Sequence, residues 1–425
     1  MTYPEVIEKL QALGSFGMRM GLDKMRVVSE RLGSPHDHLR FIHVAGTNGK
    51  GSVCAFLESI YRQSGLRVGL FTSPHLVHVG ERIQVQRVAI SEAETISLYE
   101  EAHRACDALP PEDPLTFFEF CAAMALIHFK KTACDLVIWE TGLGGRLDAT
   151  NIVTPIASVI TNIGLEHQQW LGNTHREIAA EKAGIIKPGV PVFTAVDHPD
   201  ALAVIRSRAL ENRAAIVEVG ADAAENRRRR WGELRLAGAH QVRNAALAEA
   251  TARGLRDRIP VSEEAIVTGL RETRWAGRFD VIRGDGETWA IDGAHNLEGA
   301  RVLAETLSEV FPGQSICLVI GVLKDKDWTA MLAALLPLAS RVRAVSVQSE
   351  RSVTCDELSA HCRGLKTSIA VEDYPNVRRA LLDPAPEGVK VITGSLYLVG
   401  QVYEEMGWTA DARPGERGLN EWRLR

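Results

Sequence analysis

A glycine-rich loop near the start of the chain has the residue types of a phosphate-binding site. Gly46, Gly49 and Gly51 surround Lys50, and Ser52 follows, between a predicted strand and a predicted helix. Glycines let the backbone turn tightly and point its N–H groups inward, while a helix N-terminus and a lysine attract phosphate. The spacing departs from the Walker pattern, because two residues separate Gly46 from Gly49 and Gly51 precedes Ser52. We expect a nucleotide-phosphate site here; the alternative is a glycine turn with a surface lysine.

An acidic residue at the end of another predicted strand is a candidate metal ligand. Glu140 ends the apolar run 136–140 and precedes the glycine-rich segment 141–151. Phosphate-loop proteins place a metal-binding acid at such a strand end, and dense glycine lets a ligand approach the backbone closely. A carboxylate that only meets water is the alternative. The neighbouring glycines favour metal binding.

These residues need a sheet that brings strand ends together. Short apolar runs alternate with amphipathic stretches, which is typical of βαβ units. We predict helices at 51–64 and 174–184 and strands at 41–45, 136–140, 156–160, 190–195, 288–291, 316–320, 342–347 and 389–393. Glycines and alternating charge at 277–286 indicate a linker. The expected fold class is α/β, with a mainly parallel phosphate-loop (P-loop) sheet domain at 1–280 and a smaller Rossmann-like α/β domain at 281–425.

Composition narrows the class of protein. The 425 residues are 45% hydrophobic and 24% charged, as in a globular protein, and a net charge of −5 gives no broad surface for nucleic acid. The N-terminus lacks a signal-peptide pattern, the apolar stretch 115–129 is too short to span a membrane, and the seven cysteines form no Cys-x-x-Cys pair. We expect a cytoplasmic protein with no nucleic-acid or membrane partner. The arginine run 227–230 is interpreted as a solvated loop, with a phosphate contact as the alternative.

Many blocks of the sequence, in order, resemble the folylpolyglutamate synthase/dihydrofolate synthase family of the Mur ligase superfamily. The glycine loop reads Gly-Thr-Asn-Gly-Lys-Gly-Ser, and later blocks read Thr-Ser-Pro-His-Leu and Asp-Gly-Ala-His-Asn. The matching blocks are residues 43–53, 72–76, 116–120, 140–151, 163–167, 170–172, 181–189, 276–279, 291–296 and 394–400.

This resemblance implies an ATP-dependent amide ligase that adds L-glutamate to dihydropteroate, to reduced folates, or to both. ATP would phosphorylate a carboxylate of the pterin-bearing substrate, and the amine of glutamate would then displace phosphate from the acyl phosphate. Because the substrates are anions, such an enzyme needs clustered cations more than a nucleophilic side chain. The resemblance also implies a monomer. The alternatives are a cell-wall Mur ligase, a P-loop kinase and a nucleotide-binding regulator.

The resemblance assigns roles at the phosphate end of the site. The residues implied to hold the phosphates are Asn48, Gly49, Lys50, Gly51 and Ser52. The resemblance implies two Mg²⁺ ions, with Ser52, Glu140, His167 and Lys182 as their ligands, the last as a carbamate. Histidine is an unusual magnesium ligand, since hard cations prefer oxygen. Without the resemblance, His167 would be a loop or core histidine and Lys182 a helix-surface lysine paired with Glu177 or Glu181.

Residues around the predicted linker complete the implied nucleotide site. Asn244 would approach adenine, Arg278 the phosphates and Asp292 the nucleotide, while His295 would lie near glutamate and the acyl phosphate. Lys50, Lys182 and His295 are the candidate catalytic residues. With ligands on both sides of the linker, the site should lie between the domains and close like a hinge.

The remaining implied positions bind the pterin substrate. Ser73 and His75 match the loop that approaches it, and Arg82 is a candidate partner for a carboxylate, which guanidinium binds bidentately. Phe118 could stack on a flat ring, although core packing is the alternative for at least one of Phe117 and Phe118.

Overall fold

The computed structural model describes residues 1–14, 20–221, 230–284, 286–365, 369–384, 388–408 and 416–420. Residues 227–229 of the arginine run lie outside these ranges, so its interpretation as a loop stays a prediction. Within the described residues, no helix has both the length and the apolar character needed to cross a membrane.

The first domain is built on a sheet that is mostly parallel. Its strands are β1 (Phe41–Ala45), β2 (Val68–Phe71), β3 (Ile83–Val85), β4 (Val88–Ala89), β5 (Leu136–Glu140), β6 (Ala157–Ile160), β7 (Val192–Thr194) and β8 (Ile216–Glu218). Their order is β4-β3-β2-β5-β1-β6-β7-β8, and only the β2–β3 and β3–β4 pairs are antiparallel. Strands β5, β1 and β6 are therefore central neighbours, with Val44 paired to Glu140 and Ala45 to Ile160.

Helices cover both faces of this sheet. They are α1 (Tyr3–Gly14), α2 (Asp23–Arg31), α3 (Lys50–Gln63), α4 (Glu92–Cys106), α5 (Phe117–Lys131), α6 (Gln168–Leu171), α7 (His175–Lys182), α8 (Pro199–Glu211), α9 (Ala239–Gly254) and α10 (Glu263–Glu272). Helix α3 packs with α9 and α10 on one face, and α5 packs with α1 and α4 on the other. Thr116 and Glu119 form a capping box that begins α5, which places Phe118 in its first turn.

The second domain has its own sheet and helices. Its strands are β9 (Asp280–Gly284), β10 (Glu287–Ile291), β11 (Ile316–Ile320), β12 (Ala339–Val345), β13 (Ala370–Tyr374) and β14 (Val389–Thr393), in the order β13-β12-β11-β14-β10-β9. Its helices are α11 (Leu297–Val310), α12 (Trp328–Leu335), α13 (Cys355–Leu365), α14 (Val377–Leu382) and α15 (Leu396–Met406). The α/β fold class is confirmed, and both sheets are mainly parallel.

The predicted linker at 277–286 was wrong in one respect. Residues Asp280–Gly284 form β9, an antiparallel edge strand that pairs with β10 from Gly284↔Glu287 to Asp280↔Ile291. Its half-buried, charge-alternating sequence is compatible with an edge strand because one side faces solvent. The boundary at residue 280 stays a prediction, although the second sheet begins there.

All seven cysteines are free. Cys106 in the first domain and Cys355 in the second are partly exposed, whereas the other five are buried.

Candidate active site

A cavity of about 510 Å³ lies between the two domains, where strands β1, β5 and β6 end. A parallel sheet with helices on both faces binds ligands at this edge. The predicted site residues that line the cavity are Asn48, Gly49, Lys50, Gly51, Ser52, Ser73, Arg82, Phe118, Glu140, His167, Asn244, Arg278, Asp292 and His295. The two remaining ones, Lys182 and His75, are buried beside it.

The glycine loop turns directly into helix α3. Gly49 has φ 80°, a left-handed conformation that glycine adopts without strain, and the helix begins at Lys50. A Cβ on Gly49 would lie 2.6 Å from Oδ1 of Asn244, so this side chain is packed against the turn. Oδ1 of Asn162 accepts a hydrogen bond from the Asn48 N–H at 2.7 Å, which fixes the loop to the end of β6. The result is a rigid helix N-terminus open to the cavity.

Two lysines share one carbonyl beneath this loop. Nζ of Lys50 donates to the carbonyls of Gly46 and Thr47, both at 3.2 Å. Nζ of Lys182, at the end of α7, donates to the same Gly46 carbonyl at 2.8 Å. Burial, aided by the charge of Lys50, lowers the pKa of Lys182 to about 7. The Lys182 amine is therefore buried and easily deprotonated, unlike the surface lysine of the alternative interpretation.

The three candidate metal ligands besides Lys182 come from different elements. Glu140 is buried, accepts a hydrogen bond from the Ser73 N–H at 2.9 Å, and has its pKa raised to about 7 by burial. Oγ of Ser52 accepts from Nε2 of Gln241 at 3.2 Å. His167 has φ 53°, and burial lowers its pKa to about 4, which keeps the imidazole neutral.

This donor set fits a cation that also binds phosphate. No group of three His, Cys, Asp or Glu side chains arranged for a metal exists in the described part of the chain. The donors are a buried carboxylate, a hydroxyl and a neutral imidazole, and burial opposes ionisation of the carboxylate. Together they supply an incomplete coordination shell for the cation, which the oxygens of a nucleotide can complete. The residues present are thus compatible with Mg²⁺ bound together with ATP.

The second domain contributes side chains that meet the glycine loop. The carboxylate of Glu298, in the first turn of α11, accepts from Nδ2 of Asn48 at 2.9 Å and from Nδ2 of Asn162 at 3.1 Å. Glu166 pairs with Nζ of Lys326 at 2.9 Å and with Nε2 of His295 at 3.6 Å. Contacts on both sides of the cavity therefore join the domains.

Glu166 stays ionised in this arrangement. Burial raises its pKa, but His295 and Lys326 outweigh burial and hold that pKa well below its ordinary value. Nδ1 of His295 lies 2.8 Å from the Gly293 carbonyl, which orients its Nε2 towards Glu166.

Arg278 and Asp292 lie together on the cavity wall, Arg278 just before the second sheet begins and Asp292 just after its strand β10. Nη1 of Arg278 donates to the Gly277 carbonyl at 3.1 Å. Asp292 accepts from the N–H groups of Phe279 and Ala294, and burial raises its pKa although Arg278 opposes this. The pair places a cation and an acceptor opposite the glycine loop.

The far end of the cavity differs in character from the phosphate end. Phe118 lines it, half-buried, while Phe117 is buried and lies under the Arg82 guanidinium at 5.0 Å from the ring centre. His75 does not line the cavity. Its Nδ1 accepts from Nε of Arg82 at 2.8 Å, so His75 supports Arg82 from behind.

Comparison with known proteins agrees with this architecture. Residues 44–252 match the Mur ligase middle domain, and residues 277–396 match the Mur ligase, glutamate ligase domain. The chain is 36% identical over 414 residues to dihydrofolate synthase/folylpolyglutamate synthase of Bacillus subtilis, an alignment that covers 92% of this chain and 96% of that relative. The chain belongs to the folylpolyglutamate synthase/dihydrofolate synthase family.

Solved structures of this family share the fold. Folylpolyglutamate synthase from Thermotoga maritima superposes with a TM-score of 0.84 at 31% identity, covering 98% of this chain and 99% of that one. Escherichia coli FolC in complex with DHPP and ADP superposes with a TM-score of 0.85 at 30% identity, covering 97% of this chain and 99% of that one. The bifunctional folylpolyglutamate synthase/dihydrofolate synthase from Yersinia pestis, complexed with AMPPNP and a Mn ion, superposes with a TM-score of 0.83 at 31% identity. The superposition covers 96% of this chain and 98% of that one. The relatives place the chain in the folate branch of the Mur ligases, not the cell-wall branch.

Sequence reasoning missed several residues of this folylpolyglutamate synthase-type site. Asn162 follows β6 at the same edge as the glycine loop, and Glu298 lies two residues after the Asp-Gly-Ala-His-Asn block, so position alone could have suggested both. Lys326 and Asn420 carry no comparable signal. Their roles depend on how distant segments meet.

Proposed function

We propose that this protein is an ATP-dependent ligase that adds L-glutamate to dihydropteroate, to the glutamate tail of reduced folates, or to both. The observation that carries the proposal is an interdomain cavity that is lined both by a phosphate loop and by an aromatic, arginine-containing wall. The reaction releases ADP and phosphate.

The cavity can align the two steps of this reaction. A substrate carboxylate oxygen attacks the γ-phosphorus of ATP, and ADP leaves while Lys50 and Arg278 neutralise charge on the phosphates. The nitrogen of glutamate then attacks the acyl carbon, and phosphate departs as the amide forms. The departing phosphate can take up the proton that the amine loses, while His295, whose Nδ1 is held by the Gly293 carbonyl and whose Nε2 faces Glu166, would lie beside the acyl phosphate.

The ions expected with ATP would be held by residues already in place. Ser52, Glu140 and His167 would hold one Mg²⁺, which when bound supplies positive charge to the phosphate oxygens. For Lys182 we propose a carbamate, formed when its neutral amine adds CO₂, that would offer oxygen donors for a second Mg²⁺. Its pKa of about 7 supports this proposal, because the neutral amine is the reactive form.

We also propose that the enzyme works as a monomer in the cytoplasm. Seven free cysteines suit a reducing compartment. Light scattering on the purified chain tests the monomer, since a dimer would double the mass.

One assay tests the proposed activity. Purified protein is given ATP, Mg²⁺ and L-glutamate, with dihydropteroate or tetrahydrofolate added in turn, and phosphate release is measured. We expect release that requires glutamate and at least one of the two pterin compounds. ATP turnover that ignores glutamate would instead indicate a kinase or a simple ATPase.

A further inference from the structure

Arg82 is a buried cation that donates hydrogen bonds to two neutral side chains. Its side chain is almost inaccessible, yet it lines the cavity. Nε donates to Nδ1 of His75, and Nη2 donates to Oδ1 of Asn420 at 2.5 Å. Burial holds the pKa of His75 well below its ordinary value, so this imidazole is neutral. Among the described residues, Nη1 has no hydrogen-bond partner. A buried guanidinium held this way has one edge left for an anion.

The second holder of Arg82 belongs to a segment far away in the sequence. Residues Glu416–Asn420 form a short helix that returns from the second domain to the substrate end of the first. Glu416 accepts from the Tyr3 hydroxyl and the Val79 N–H, both at 2.8 Å, and Nδ2 of Asn420 donates to the His75 carbonyl at 2.9 Å. Leu419 is buried in the first-domain core, and Leu419 and Asn420 both line the cavity.

We propose that residues Glu416–Asn420 form a wall of the pterin end of the cavity, and that Asn420 is a positioning residue that orients Arg82 towards a carboxylate of the pterin-bearing substrate. This inference rests on the proposed function. His75 and Asn420 accept hydrogen bonds from Nε and Nη2, which leaves Nη1 of this cavity-lining side chain for the substrate. Both residues that accept hydrogen bonds from Arg82 are neutral, so neither neutralises its charge, although the carboxylates of Glu81 and Glu140 lie near enough to act on it.

Two substitutions of Asn420 separate this role from simple packing. Asn420→Ala removes the orienting bond and should raise the KM for the pterin-bearing substrate about tenfold, with the KM for ATP unchanged within twofold. Asn420→Asp keeps the shape, loses the hydrogen bond to the His75 carbonyl and pairs its carboxylate with Arg82, so it should raise that KM more, about thirtyfold, while the melting temperature falls less than in Asn420→Ala. A purely structural role predicts the reverse order, because the aspartate variant would keep the segment docked.

A matched control changes the same segment without touching Arg82. Tyr3→Phe removes the hydrogen bond to Glu416, and we expect the KM for the pterin-bearing substrate to change less than twofold. A wild-type KM in Asn420→Asp, or equal rises in the KM for ATP and for the pterin substrate, would overturn the inference.

Direct binding identifies the group that Arg82 meets. Dissociation constants are measured for dihydropteroate and for a pterin analogue that lacks the carboxylate. Asn420→Asp should weaken only dihydropteroate; equal weakening of both would refute the carboxylate assignment. If the wild-type protein neither binds a pterin compound nor releases phosphate in its presence, the proposed function is wrong. If the wild-type protein is active but the Asn420 variants behave like it, only the inference about Asn420 is wrong.

Discussion

At the scale of single residues, the Gly46 carbonyl accepts hydrogen bonds from two ammonium groups. Lys50 and Lys182 both point at it, and burial together with this neighbouring charge leaves the Lys182 amine with a pKa of about 7. Near neutral pH a large fraction of Lys182 is therefore uncharged and can act as a nucleophile. A side chain with an ordinary lysine pKa would remain protonated and unreactive.

Substitution of Lys182 tests its proposed carbamate. Lys182→Ala should lower glutamate-dependent phosphate release by at least about a hundredfold, and short carboxylates such as acetate should restore part of it by supplying oxygen atoms. The control is Lys187→Ala, which removes a lysine bonded to the Asn151 carbonyl; acetate should not stimulate that variant. Full activity of Lys182→Ala without any additive would show that no carbamate is needed.

At the scale of elements, the junction between β1 and α3 carries the phosphate site. The loop changes direction at Gly49, where the left-handed φ and the contact with Asn244 both exclude a side chain. Helix α3 is buried along most of its length, so its N-terminus cannot shift to accommodate a changed loop. The geometry of the loop should therefore control ATP affinity.

Replacing each of two glycines with alanine separates the effect of backbone strain from the effect of the Gly49–Asn244 contact. Gly49→Ala should weaken ATP binding at least about tenfold, because its Cβ would collide with Asn244 as well as strain the backbone. Gly65, just after α3, has a similar φ of 85° but no atom near its added Cβ. Gly65→Ala should lower the melting temperature and leave the ATP dissociation constant unchanged. Equal loss of affinity in both variants would assign the effect to strain alone.

The elements that sequence predicted best are the ones that position the site. Strands β1, β5, β11 and β14 were predicted with their observed bounds, since strands buried on both faces are continuous apolar runs. Strands β2, β3, β4, β8, β9 and β13 were missed: β2 is buried but only four residues long, and the others are short, partly exposed or at an edge. Contacts such as Asn48–Glu298 and Arg82–Asn420 join residues hundreds of positions apart, so no local pattern encodes them.

At the scale of the whole molecule, a carboxylate of the second domain stands beside the phosphate loop of the first. Glu298 bridges Asn48 and Asn162, which holds the domains together but also places negative charge where ATP phosphates are expected. The negative charge of Glu298 therefore stabilises the contact between the domains but repels the phosphates of ATP. We expect the contact to change when the nucleotide enters.

Neutralising Glu298 should change both ATP affinity and kcat. Glu298→Gln should tighten ATP binding about fivefold, roughly 1 kcal/mol, because a repulsive charge is lost. The same change replaces one acceptor oxygen with an amide and should lower kcat by weakening the domain contact. Glu305, exposed on the same helix, gives the control, and Glu305→Gln should leave both constants unchanged. Weaker ATP binding in Glu298→Gln would contradict the electrostatic argument.

The distribution of thiols offers a way to watch the domains move. Cys106 and Cys355 are partly exposed and lie in different domains, while the other five cysteines are shielded by packing. A donor and an acceptor dye attached at these two positions would form a ruler across the cleft without any engineered residue. Energy transfer between the dyes, followed as ATP is added to single molecules, would then report the hinge angle of the unaltered chain.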